Sequence, residues 1–342
     1  MLLKKAKGFI KLKSFIKHLN SNGGQIGSRI RGMIINYDNR CNFQCQHCFT
    51  RSAAKDSCSR KINIQDVKRV CDELDVLGGW ELDIQGGEPL IFPDLATLIK
   101  AIGPERFDIV LTTNGWYMTR EKAHELCNLG VDRVAVSLDS FIVDQHDKFR
   151  GMPGSYSRAM KALGNIKAAG MVASINYTVG HHNVFDKSTE QLCNFAKEHD
   201  YVLNFIPLTP TGCFCGNFKY MLQPKDSDHL EQLRLNNSKI SRDLWNYFED
   251  EKVCISGCAS VNILYLNPRG DVLPCPFIHV KLGNILKQSL KEIVEAGFDV
   301  KYFRDYSRKC LAGEDFEFIQ KYLNHKMSIL EPTSIKELEL DI

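Results

Sequence analysis

From Gly32 onward, short apolar runs alternate with longer stretches in which apolar residues recur every three to four positions. The short runs predict strands at residues 33–37, 81–84, 108–112, 133–138, 173–179 and 202–206. The longer stretches predict helices around 64–77, 94–101, 120–129, 155–169, 188–198 and 226–247. Regular alternation of the two is the signature of βα units on a parallel sheet. The expected fold class is therefore α/β, a partial, TIM-like (β/α)6 barrel covering about three quarters of an eightfold one. In such folds reactive groups gather where strands end and their loops begin.

The flanking segments follow other patterns. In residues 1–20, Leu12, Phe15, Ile16 and Leu19 form one helical stripe, and Leu2, Leu3, Ala6, Phe9 and Ile10 form another, rotated from it. Lysines at 4, 5, 7, 11, 13 and 17 interrupt both. Such a segment packs on its own domain with a solvated lysine face, or lies on an anionic membrane surface or a partner. Residues 21–31, with Asn22-Gly-Gly and Gly27, read as a linker. Beyond the sixth helix, apolar runs on either side of Pro268-Arg-Gly-Asp271 predict a β-hairpin. Residues 314–330 are patterned as a helix, and the tail from Glu331 is acidic. The expected division is a basic extension (1–31), a (β/α)6 core (32–250), a small hairpin-and-helix domain (251–330) and a tail (331–342).

Composition adds bounds. The hydrophobic share of 44% and charged share of 25% are ordinary for a globular protein. The early lysines leave no apolar core for a signal peptide, and no stretch of about 18 uncharged apolar residues suggests a spanning helix. Residues 1–31 carry six Lys and two Arg without an acid, so the net +3 leaves −5 on the remainder. A mildly acidic body without a nucleic-acid module argues against a nucleic-acid partner. Thirteen cysteines in a chain with no sign of export point to metal or catalysis, and the expected compartment is the cytoplasm, with the inner membrane face as a peripheral alternative.

The chemistry starts directly after the first predicted strand. Asn39-Arg-Cys-Asn-Phe-Gln-Cys-Gln-His-Cys-Phe-Thr50 places Cys41, Cys45 and Cys48 in a C-x3-C-x2-C array. Three thiolates on one short loop can hold three irons of a [4Fe–4S] cube and leave the fourth open. A structural zinc site would need a fourth ligand, for which His47 or Cys58 is nearest. The spacing and compartment do not suit a disulfide.

This array, with aromatic His47 before its third cysteine, resembles the radical S-adenosylmethionine (radical SAM) enzymes. The resemblance implies that the open iron binds S-adenosylmethionine (SAM) through its amino and carboxylate groups. An electron from the cluster, supplied by a flavodoxin- or ferredoxin-type donor, would then release a 5′-deoxyadenosyl radical. The second strand runs into Gln85-Gly-Gly-Glu-Pro89, where Gly86, Gly87, Glu88 and Pro89 resemble the family's SAM-binding stretch. Glycines there allow a sharp turn and close approach to a ligand. Thr112-Thr-Asn-Gly115 and Ser137-Leu-Asp-Ser140 resemble further strand-end motifs, implying cofactor contacts from Asn114 and Ser137. By the same resemblance Arg150 would pair with the cofactor's carboxylate through its planar fork. Asn176 on the fifth strand is a further candidate. After the sixth strand, Cys213 and Cys215 fall on the expected catalytic rim, as hydrogen-atom donors, metal ligands or small apolar residues.

A second cysteine group follows. Cys258 and Cys275 flank the hairpin at one end, and with Gly270 they match the opening of SPASM and twitch domains, which append auxiliary [4Fe–4S] clusters to radical SAM barrels. Only Cys310 follows, which suits the shorter twitch form. Cys254 either completes a four-cysteine site or leaves an iron open, and zinc is the alternative metal. Cys58, Cys71, Cys127 and Cys193 read as packing. The implied reaction is hydrogen abstraction from an unactivated C–H bond, leading to oxidation, cross-linking or epimerisation of a peptide or protein. A sugar, aminocyclitol or other small metabolite is the alternative substrate, and a zinc-bearing interaction protein the alternative class.

Overall fold

The structure is a computed structural model that describes residues 5–21, 29–50, 62–242, 258–304, 307, 309–323, 329 and 331–338. A helix α1 (Ala6–Ser21) precedes seven strands in one parallel arc: β1 (Gly32–Asn36), β2 (Glu81–Gln85), β3 (Asp108–Thr113), β4 (Arg133–Ser137), β5 (Val172–Val179), β6 (Val202–Pro207) and β7 (Ile240–Arg242). The crossovers carry α2 (Ile64–Val76), α3 (Leu95–Ile102), α4 (Arg120–Asn128), α5 (Val143–Arg150), α6 (Ser155–Ala168), α7 (Lys187–Glu198) and α8 (Pro224–Leu235). Strand residues alternate between the two faces of a sheet. Leu82, Ile84, Ile109, Leu111, Val134 and Val136 point outward and form the core with Val67, Leu74, Leu98 and Leu163 of the helices. The alternate positions point inward, and they are unusually polar: Asp83 and Gln85 on β2, Thr112 on β3, Ser137 on β4, Asn176 on β5 and Asn204 on β6. The barrel interior is therefore a lined cavity and not a packed core.

The C-terminal hairpin, β8 (Ile263–Leu266) and β9 (Asp271–Leu273), does not stand apart from this sheet. β8 pairs in parallel with β1, and β9 and β11 (Gly283–Asn284) continue outward, giving the ten-stranded order β11-β9-β8-β1-β2-β3-β4-β5-β6-β7. Asn36 at the end of β1 seals the junction, donating to the Tyr265 hydroxyl at 2.7 Å and to Asn39 Oδ1 at 2.5 Å. The chain then runs through β10 (Val280–Lys281), α9 (Leu290–Asp299), α10 (Lys301–Arg304) and α11 (Phe316–Tyr322), and β12 (Thr333–Ser334) pairs with β10.

Two expectations change here. The helix patterned over 314–330 begins at Phe316 and ends at Tyr322. The predicted helix over 226–247 stops at Leu235, and β7 follows it, parallel to β6. Asn237 makes the turn, its side chain accepting from the Lys239 N–H at 3.0 Å and its carbonyl from the Ile240 N–H at 2.9 Å. Asparagine favours such local bonds over helix continuation. Residues 243–257, which include Cys254, lie outside the described residues, as does Cys58. In the N-terminal segment, Leu12 and Phe15 are buried with Trp80, Ile263 and Tyr265. Lys5 bonds Asp132 at 2.5 Å, and Lys11 pairs with Asp75. The stripe of α1 that carries Leu12 and Phe15 is thus spent on the protein's own sheet. Among the described residues no helix is long and apolar enough to cross a membrane.

Candidate active site

At the carboxyl ends of the strands, the loop after β1 and the turn after β2 lie against each other backbone to backbone. Gly87 N donates to Asp38 O at 3.0 Å and Glu88 N to Arg40 O at 2.9 Å. A Cβ on Gly87 would sit 2.0 Å from Arg40 O, and one on Gly86 2.3 Å from Asp38 O. The close approach that requires glycine is therefore to the cysteine loop itself, which fixes the loop on the turn. Replacing Gly87 by Ala is expected to cost about 1–3 kcal/mol of stability through overpacking that backbone cannot relieve. Gly164→Ala, exposed on α6 with nothing within 4 Å of the added carbon, is expected to gain up to about 1 kcal/mol. Urea unfolding of the two variants checks both signs.

Glu88 departs from expectation. Its carboxylate is fully enclosed and accepts from Thr113 Oγ1 at 2.7 Å, Asn114 N at 2.7 Å and Leu90 N at 3.1 Å. Burial raises its pKa, and these donors oppose the shift. Glu88 therefore ties the turn after β2 to the end of β3 rather than presenting an acceptor to a ligand. Neither it nor Pro89, which opens the following 3-10 turn, lines the cavity, whereas Gly86 and Gly87 do.

The cavity has a volume of about 1160 Å³. Cys41, Cys45, Cys48 and His47 line its rim, with Asn114, Ser137, Arg150 and Asn176. The cysteines are close enough to feel one another's charge, although among the described residues no three ligating side chains are drawn to metal-binding separation. Burial pushes the Cys41 thiol up to about 12 and raises Cys45, which Arg150 partly offsets. Buried thiolates without a cation are costly, so this donor set suits a positively charged iron–sulfur core that displaces the protons. His47 stacks flat on Phe149 at 4.4 Å, and burial lowers it to about 3, so it is neutral; its Nδ1 is buried without a hydrogen-bond partner.

Arg150 is delivered by α5, a short helix that the periodicity did not reveal, and is followed by Gly151 at φ +64°. Its Nε bonds Asp139 at 2.5 Å and its Nη1 lies 3.9 Å from Cys45 Sγ. Burial alone would raise Asp139, but Arg150 and the neighbouring imidazoles hold it down at about 2. Asp139 thus orients the guanidinium over the loop and leaves part of the fork for a ligand. Asn176 accepts from the Asn204 amide at 2.9 Å, a partner absent from the expected set.

After β6 the chain returns against the cysteine loop: Cys213 N donates to Cys48 O at 2.9 Å, and a Cβ on Gly212 would meet Cys48 O at 2.3 Å. Cys213 lines the cavity; Cys215, half-buried on the same loop, does not. Cys258, Cys275 and Cys310 are buried. Val261 N bonds Pro274 O at 2.8 Å across the hairpin base, and Cys258 N bonds Ser307 O at 2.8 Å, which brings all three segments to one end. Phe49 and Phe277, 5.2 Å apart edge to face, join the two cysteine regions, and both line the cavity.

A partly open parallel α/β barrel with a thiol-bearing loop at its open end, glycine-pinned to the second strand, suits a cofactor enzyme of the metal–sulfur type. A profile of the Radical SAM superfamily matches residues 35–196, and one of SPASM, an iron–sulfur cluster-binding domain, matches 254–312. The chain belongs to the radical SAM superfamily and is an enzyme whose cofactors are SAM and iron–sulfur clusters. It is 28% identical over 295 residues to the AdoMet-dependent heme synthase of Methanosarcina barkeri, covering 78% of this chain and 82% of that one. It is 28% identical over 260 residues to the mycofactocin maturase MftC of Mycobacterium tuberculosis, covering 72% and 65%. In fold it is similar to Streptococcus suis SuiB bound to its precursor peptide SuiA, with a TM-score of 0.61 and 16% identity over 86% of this chain and 70% of that one.

Proposed function

We propose that Cys41, Cys45 and Cys48 hold a [4Fe–4S] cluster whose fourth iron binds SAM, and that a peptide or protein substrate enters the barrel beneath it. When bound, this pair of cofactors supplies a 5′-deoxyadenosyl radical on one-electron reduction by an external flavodoxin- or ferredoxin-type donor. The chain's residues position and shield it. The Gly86–Gly87 backbone, Asn114, Ser137, Asn176 and the free part of the Arg150 fork orient SAM, with His47 neutral against the loop. Glu88 and Pro89 hold the turn in place. Cys213 is the rim thiol placed to give a hydrogen atom to a substrate radical. Cys258, Cys275 and Cys310, with Cys254, hold the auxiliary cluster of a domain spanning residues 251–330, beside a core spanning 32–250.

The observation that carries the substrate reading is the cavity wall. At about 1160 Å³ it exceeds the roughly 300–1,000 Å³ of ordinary ligand pockets, leaving room beside the cofactor. Its cations are matched by acids: Arg133 with Asp108 at 2.8 Å, Arg150 with Asp139 at 2.5 Å and Lys239 with Asp200 at 2.6 Å. A wall of this balance does not select a polycarboxylate such as a haem precursor, and it suits the mixed polar surface of a peptide. Anaerobic protein with reductant and SAM tests the choice. Peptides should raise 5′-deoxyadenosine release above the uncoupled rate; stimulation by tetrapyrroles or sugars and not by peptides would reverse it.

A further inference from the structure

Asp83 stands in the middle of β2, with its side chain on the cavity wall. It precedes Gly86 by three residues, which sets it about 10 Å deeper along the strand than the turn pinned to the cysteine loop. Its Cα neighbours on the adjoining strands are Ile34 of β1 and Val110 of β3, both apolar and both on the wall. Its carboxylate accepts from Gln85 Nε2 at 2.6 Å and from Thr112 Oγ1 at 3.1 Å. Both donors are neutral. No ion pair reaches Asp83 among the described residues, in contrast to Glu81 at the deep end of the same strand, which Arg31 and Arg133 approach at 3.4 and 3.6 Å.

Asp83 is half-buried on the cavity wall, and a carboxylate drawn partly out of water and held only by neutral donors gains when a cation completes it. Gln85 and Thr112 fix the direction of the group without neutralising it, and the remaining acceptor positions face the cavity. We propose that Asp83 is the substrate-recognition residue of this site, receiving an ammonium or guanidinium group of the molecule whose C–H bond is attacked. This deepens the radical SAM reading and rests on it. In a peptide substrate the group is a Lys or Arg side chain or the amino terminus. Anchoring a cation about 10 Å below the cofactor turn would place carbons of its stem within the gap between them.

Burial pushes Asp83 up to about 6, against the hydrogen bonds from Gln85 and Thr112. The charged groups facing it are Glu81 on its own strand, which adds to the shift, and Arg133 on β4, which opposes it; Asp108 on β3 lies beside Glu81 at the deep end and pairs with Arg133 at 2.8 Å, and β1 presents none. Asp83 is therefore ionised and able to take a cation above about pH 6, and loses that capacity as the pH falls below it.

Equilibrium binding to the anaerobic, cluster-loaded, SAM-bound full chain tests this with two matched probe pairs. Nα-acetyl-lysine N-methylamide is compared with its norleucine counterpart, and glucosamine with glucose. At pH 7.5 the lysine probe should bind about tenfold more tightly than norleucine, roughly 1.4 kcal/mol. The preference should vanish in Asp83→Asn and in the wild type at pH 5. A preference shown by the glucosamine pair alone would keep the cation at Asp83 and make its source an amino sugar. No preference in either pair, or one that survives Asp83→Asn, overturns the assignment. The wild-type comparison needs no variant to fold. Binding needs no turnover either, so a protein unable to cleave SAM would fail the class reading while leaving this result legible.

Discussion

Changing Cys41, Cys45 and Cys48 together to Ala should abolish 5′-deoxyadenosine formation and remove about four irons per chain, one cube's worth. The effect is all-or-none because the loop offers three thiols for three irons, and no other described cysteine on its side of the cavity is placed to replace them. Cys213 approaches the loop through its backbone N–H to Cys48 O, but a single thiol cannot hold a cube. The fold should survive, because bonds to Asp38 O, Arg40 O and Asn39 anchor the loop and remain when the sulfur contacts with Phe43 N, Thr50 and Arg150 are lost. Persistent 5′-deoxyadenosine in the triple variant, measured by liquid chromatography after anaerobic incubation with dithionite, would overturn the role of the loop.

Replacing Cys258 and Cys275 by Ser should remove a second set of about four irons and leave SAM cleavage detectable. These thiols are buried at one end of the β8–β9 hairpin, where the Val261 N–Pro274 O bond holds their segments together. The hairpin reaches the cysteine loop through Phe277 against Phe49 and Tyr265 against Asn36, contacts that the substitutions leave in place. Substrate turnover should fall far more than uncoupled cleavage, because the cavity wall includes Pro276 and Phe277 beside Cys275. Iron and sulfide analysis that found no change in either element would remove the auxiliary cluster from the account.

The motif residues could be read in the sequence because each motif is local. The spacing of Cys41, Cys45 and Cys48, the Gly86–Pro89 turn and the flanks of Pro268-Arg-Gly-Asp271 all depend on neighbours a few residues away. What could not be read depends on distant partners. The pairing of β8 with β1 joins residues more than two hundred positions apart, and the Asn36–Tyr265 bond that marks it has no local signature. β7 was hidden because a polar helix and a three-residue strand share one hydrophilic stretch, and Asn237 was the one available warning. Glu88 has the right motif position, yet which way its carboxylate turns is decided by Thr113 and Asn114 on another strand. Asp83 had a signal that went unused. Glu81, Asp83 and Gln85 alternate with Leu82 and Ile84, a two-residue period that places polar groups inside the barrel and so announces a lined cavity.

The most direct test of the cysteine loop is electron paramagnetic resonance of the reduced, oxygen-free Cys258→Ser/Cys275→Ser protein, recorded with and without SAM. One reduced cubane signal that shifts when SAM is added is the predicted result. A spectrum without such a signal after reconstitution, or one that SAM leaves unchanged, would contradict a cluster with an open iron at Cys41, Cys45 and Cys48.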